Sequence, residues 1–257
     1  MARVERLPPS PLRVFALSAS VFAAYGGYRW FFAHLLPGAS IANAEPRAAA
    51  VAAGSLPCAL FFYWLARLRH RGPTVGNRPG AAAPALLVLA GLASAAAVRR
   101  WMVPPPPWDP DLAVPMAAGV AAALASAACG ELALRGSLFL AAQELGGRRG
   151  DLLALAVGAL GFAALHACFQ GPWELPLALA EGLALGVARL RGASLGFLIL
   201  GHALPGAAEA LWLGAPAAVP GHSPELGAAG VAVLASLFLW FLPGGQKRGL
   251  PPPPPAG

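Results

Sequence analysis

Gly130-Glu131-Leu132-Ala133-Leu134-Arg135-Gly136 lies inside an apolar run from 112 to 142, and its reading decides the fold. A carboxylate and a guanidinium four residues apart share one helix face, so an apolar helix can carry both as a neutralised, charge-assisted pair. Two further apolar stretches hold one imidazole each: Phe162-Ala163-Ala164-Leu165-His166 and Gly201-His202-Ala203-Leu204-Pro205-Gly206. Ionisable groups at membrane depth are costly, and they mark functional sites by default. Four of them, in three separate segments, point to a built site.

The surrounding chain supports a bilayer setting. Of its 257 residues, 58% are hydrophobic and 11% charged, whereas a soluble domain is about one quarter charged. Windows of about 20 residues, the length that crosses the hydrocarbon core, predict eight spans, at 14–36, 48–67, 81–103, 112–142, 151–170, 174–190, 193–213 and 227–243. The fold class is therefore expected to be all-α, a polytopic membrane protein with about eight transmembrane helices. Residues 1–250 should form one transmembrane domain, and 251–257 a disordered Pro-rich tail. The basic start followed by a long apolar run containing Arg29 reads as an uncleaved first span.

The net charge of +7 is distributed by side. An eight-span layout puts Arg3, Arg6, Arg13, Arg67, Arg69, Arg71, Arg78, Arg148, Arg149, Arg189, Arg191, Lys247 and Arg248 on one face, against Arg47, Arg99 and Arg100 on the other. Basic loops stay cytoplasmic, so both termini are expected there. This is topogenic charge facing a lipid bilayer, with no nucleic-acid-binding motif beside it. The compact layout suggests a bacterial plasma (inner) membrane. Cys58, Cys129 and Cys168 lack any CxxC spacing and read as small buried hydrophobes. No GxGxxG, P-loop or GxSxG is present, so nucleotide-driven transport and serine hydrolysis find no support.

Depth adds a constraint. Glu131 precedes and His166 follows the Gly146–Gly150 turn by similar distances, so an antiparallel hairpin brings them level. Chemically, a carboxylate with an imidazole can deprotonate water, and a second imidazole can donate to an oxyanion. The same trio, Glu131, His166 and His202, could instead ligate a divalent metal such as zinc with one position left for water. No cofactor is required by the residues themselves. Glu209, seven residues after His202, shares its face and is a supporting candidate. Glu181 is expected to pair with a neighbouring helix.

These motifs resemble the CPBP family of intramembrane proteases, which includes the CAAX prenyl endopeptidases and bacteriocin-processing proteins. Its pattern is EExxxR, FxxxH and HxxxN in that order on successive membrane helices. Glu131 to Arg135 matches the second Glu and the Arg, Phe162 to His166 the second motif, and His202 the start of the third. The likeness covers about Gly119 to Trp212. Gly130 stands where the family has its first Glu, and Gly206 where it has Asn. In the family that Glu and the second-motif His activate water, and the third-motif His and Asn hold the oxyanion.

The resemblance implies an intramembrane endopeptidase acting on a membrane-anchored protein or peptide, prenylated or bearing a sorting signal. Glu131 and His166 would activate water, His202 would stabilise the oxyanion, and Arg135 would hold Glu131. The two departures keep a second class in view, a catalytically degenerate membrane binding protein of the same fold. A small proton-coupled transporter would use the same ionisable residues, but the inverted repeat that favours transport is not detectable.

Overall fold

A computed structural model describes residues 12, 16, 19–27, 55, 57–64, 113–170 and 175–213. Among these residues the chain is helical and contains no strand. Helix α1 (Ala113–Glu131) runs directly into a π-helical segment, Leu132–Leu138, and then into α2 (Phe139–Gln143). Helix α3 spans Gly147–Gln170, α4 Leu175–Leu190 and α5 Leu195–Leu213. Two stretches are long and apolar enough to cross a membrane, Met116–Gln143 and Gly147–His166, and Leu195–Ala207 is a shorter apolar helix.

The spans expected at 112–142, 151–170, 174–190 and 193–213 thus coincide with helices. Residues 19–27 and 57–64 are helical within the first two expected spans. The spans expected at 81–103 and 227–243, and the tail at 251–257, lie outside the described residues.

Glycines make the turns. At the α2–α3 corner, Gly146 and Gly147 have φ of 79° and 56°, left-handed values that cost a glycine little. Gln143 Nε2 donates to Asp151 Oδ1 across this corner at 3.1 Å. Helix α4 ends in a Schellman motif. Gly192 takes φ 96°, its N–H reaches the Arg189 carbonyl, and the Ala193 N–H reaches the Ala188 carbonyl at 2.9 Å. Arg189 Nη1 donates to the Ala193 carbonyl, also at 2.9 Å, and ties the same corner.

Helix α1 packs along α5 and α3 along α4, while the π segment touches α3 and α5. The core lies where these contacts meet and includes Leu134, Leu138, Phe139, Phe162, Leu185, Leu195 and Leu198. On the outside, Val114, Leu124, Leu152, Leu160, Leu175, Leu200 and Leu204 are exposed. An apolar outer face of this extent suits contact with lipid chains.

Small residues set the α1–α5 spacing. A β-carbon on Gly119 would come within 2.6 Å of the Ala210 β-carbon, so α1 and α5 must separate to admit any larger side chain. Gly119→Val is expected to cost about 1–3 kcal/mol through overpacking. A lowered melting temperature of the detergent-solubilised protein would register that loss, and an unchanged one would show that the crossing tolerates expansion.

Candidate active site

The sequence puts Glu131 at the last position of α1, immediately before the π segment that holds Arg135. π-helical turns are uncommon and recur at functional sites because the extra residue redirects side chains. The Ser137 hydroxyl donates to the Leu132 carbonyl, five residues back, at 3.2 Å, which helps satisfy a backbone acceptor in the altered ladder. Glu131 and Arg135 are both 0% exposed.

The guanidinium is held from three sides. Arg135 Nη1 donates to Glu131 Oε1 at 2.9 Å. Its Nη2 donates to the Gly182 carbonyl of α4 at 3.0 Å, and Cζ lies 4.9 Å above the centre of the Phe162 ring of α3. Glycine at 182 makes this reach possible: a β-carbon there would lie 2.9 Å from Ala159 Cα, so α4 could not approach α3 as closely. Glu181, the next residue, adds a second carboxylate within electrostatic range of the guanidinium.

His202 completes the cluster from α5. Its Nδ1 lies 3.0 Å from Glu131 Oε1, across 71 residues of sequence. That oxygen is thus shared between a cation and an imidazole. With Glu131 ionised against Arg135 its carboxylate accepts and Nδ1 carries the hydrogen, and in the neutral imidazole Nε2 is then the acceptor. His202 keeps 13% of its side chain exposed while Glu131 has none. The imidazole is therefore the part of the pair that a reagent can meet. Among the described residues, Glu131 Oε2 and Arg135 Nε have no hydrogen-bond partner.

The Phe162 ring is the hub. His166, one turn along α3, stacks on it with centroids 4.3 Å apart and planes at 24°. His202 meets it edge-on at 4.7 Å and 64°. The two imidazoles face one another at 5.7 Å between centroids.

The structure therefore brings Glu131, Arg135, His166 and His202 together, as the spacing of the three motifs predicts. Glu131 hydrogen-bonds His202, and His166 lies beside that imidazole. Glu209 lies on α5, but its side chain is outside the described residues. Among the described residues no group of three or more His, Cys, Asp or Glu side chains is placed to hold an ion.

Two participants escaped the reading of the sequence. Phe162 had been only a motif letter, and its contact with both imidazoles and the guanidinium is a property of packing. Tyr25, on a π-helical segment at Phe22–Gly26, has its hydroxyl 3.4 Å from where a β-carbon on Gly130 would stand. Nothing in its local sequence distinguishes it from any other tyrosine in a span.

The family model of the type II CAAX prenyl endopeptidase Rce1-like proteins matches residues 112–207. That stretch is similar to an Rce1-like domain. The match contains Glu131, Arg135, His166, His202 and both departures from the motif pattern, while Glu209 and Tyr25 fall outside it. This family consists of membrane-embedded proteins with endopeptidase activity on membrane-anchored, prenylated proteins, and the CPBP resemblance agrees with it. No curated protein and no solved structure matches the chain.

Removing one partner from a buried ion pair strands the other charge and costs about 3–5 kcal/mol. Arg135→Leu is accordingly expected to destabilise the protein severely, whereas adding Glu131→Leu to it restores much of the loss. Thermal unfolding of wild type, both single variants and the double variant checks this, and additive losses would show that the two residues do not act as a pair.

Proposed function

We propose that this chain is an intramembrane endopeptidase that hydrolyses a peptide bond in a membrane-anchored protein, with prenylated or sorting-signal-bearing proteins as the substrate class. The observation that carries this reading is the hydrogen bond between Glu131 and His202, set beside His166 inside the Rce1-like stretch. In this reading residues 1–250 form a single eight-span domain in a bacterial plasma membrane, with both termini cytoplasmic and a Pro-rich tail at 251–257.

The geometry favours an exchange of roles between the two imidazoles. Arg135 neutralises Glu131 and fixes its carboxylate; Glu131 orients His202 through Nδ1. His202 Nε2 then takes the proton of a water as its oxygen adds to the scissile carbonyl. His166, stacked on Phe162 beside the His202 ring, donates to the oxyanion that forms. On collapse the proton held by His202 passes to the departing amine. Proton transfer by a positioned group is worth about 10²–10⁴-fold, and a single oxyanion donor about 10²–10³-fold.

A second reading, a binding protein that retains the fold without cutting, is favoured by Gly206. A β-carbon there would stand 3.3 Å from that of Ala123, so α5 uses the position to approach α1 and has no side chain to offer. Gly130 differs. The nearest neighbours of a β-carbon on it would be the His202 ring and the Tyr25 hydroxyl, each at 3.4 Å.

Profiling protein N-termini in membranes from a deletion strain re-expressing wild type, His166→Ala, His202→Ala or Gly130→Glu separates the two readings. The endopeptidase reading expects new termini with wild type that vanish in both histidine variants. Termini appearing solely with Gly130→Glu would establish the binding reading.

A further inference from the structure

Two of the chain's three cysteines meet where the helical stretch 57–64 packs on α1. The S–H of Cys129, on α1, donates to the Cys58 sulfur, and neither residue is in a disulfide.

The contact follows from the face that the 57–64 stretch turns inward. Ser55, Ala59 and Phe62 follow helical spacing and are 0%, 6% and 1% exposed. Ala59 and Phe62 belong to the same core as Cys129. Cys58 sits at the edge of this stripe, packed against the core yet only half-buried. Cys129 is 0% exposed. One sulfur is therefore open to a reagent, and the other can meet only what its neighbour carries.

That asymmetry matters chemically. A solitary buried thiol is an inert packing residue. Thiol–disulfide exchange instead needs one accessible sulfur to be attacked or to attack, and a second within reach to resolve the mixed disulfide. A disulfide also demands that the two side chains come together without dragging the backbone, and here they already touch.

We propose that Cys58 and Cys129 are a reversible modification site, where an oxidant of the disulfide class converts two thiols into a bridge between the 57–64 helix and α1. The Cys58 sulfur, as thiolate, attacks one sulfur of the oxidant. The oxidant's S–S bond breaks, and its first half leaves as a thiol after taking up a proton. The Cys129 sulfur gives up its proton and attacks the Cys58 sulfur, and the second half departs as a thiol. Two electrons thus pass from the cysteines to the oxidant, whose disulfide is reduced to two thiols. The new bond closes two residues before Glu131, at the turn of α1 that leads into the π segment. Bridging is independent of whether the protein cleaves peptides.

The full-length protein carrying Cys168→Ala, which removes the third thiol, is purified in detergent and reduced. It is then treated, folded, with 4,4′-dithiodipyridine, a small apolar disulfide. The expected result is two thiopyridones released per chain, a mass two hydrogens below the reduced protein, and a cross-linked peptide pair containing Cys58 and Cys129. Dithiothreitol should restore the reduced mass. Adding Cys129→Ser should give one thiopyridone and a pyridylthio group retained on Cys58, whereas Cys58→Ser should release none until the protein is denatured. A pyridylthio group retained on Cys58 of the parent protein overturns the inference, because Cys129 then fails to resolve it. So does a parent protein that releases no thiopyridone while folded, since Cys58 is then closed to the oxidant. Reaction of Cys129 in folded Cys58→Ser at the parent's rate overturns it as well, because the order of attack would be wrong.

Discussion

The buried pair of Glu131 and Arg135 is the constraint around which the rest of the structure is arranged. Two full charges with no solvent exposure are tolerable only if each is met by groups that replace water. That requirement reaches into three neighbouring helices. Helix α4 supplies the Gly182 carbonyl, α3 the face of Phe162, and α5 the Nδ1 of His202. The first of these demands a small residue, because Arg135 can reach the Gly182 carbonyl only when α4 lies almost against α3. Packing of the bundle and electrostatics of the site are thus one problem with one solution.

The same arrangement separates structural charge from reactive group. Guanidinium and carboxylate are sealed inside, while the imidazole they orient retains some exposure. A carboxylate that receives both a guanidinium and an imidazole N–H on one oxygen is suited to holding a ring in a chosen tautomer. The imidazole then presents its other nitrogen outward. Phe162 sets the distance between that ring and His166, since both pack on its π-system and aromatic groups prefer such offset or edge-on contacts.

Glycine stands in two different settings within this small volume. At 206 and 119 it lets α1 and α5 touch, and the space a side chain would need is filled by Ala123 and Ala210. At 130 the nearest neighbours of a side chain would be a phenol and an imidazole. Two residues that look equivalent as departures from a motif therefore differ in surroundings: one faces a packed alanine, the other a phenol and an imidazole.

The sequence by itself determined the helical class, the helices at 112–142, 151–170, 174–190 and 193–213 to within a few residues, and the identity of the clustered groups. It could do so because hydrophobic runs, glycine breakers and intramembrane charge are local properties, legible one segment at a time. The Glu131–Arg135 pair was equally legible, since four residues on a helix fix a neighbour. Only the tertiary structure decided that Glu131 bonds His202, that Phe162 packs against both imidazoles, and that Tyr25 borders Gly130. Those facts depend on the rotation of each helix about its axis, and the π segment at Leu132–Leu138 alters that rotation midway through a span. A shift of register by one residue leaves the hydrophobic pattern of such uniformly apolar helices nearly unchanged. No pattern in the chain records it, and packing alone sets it.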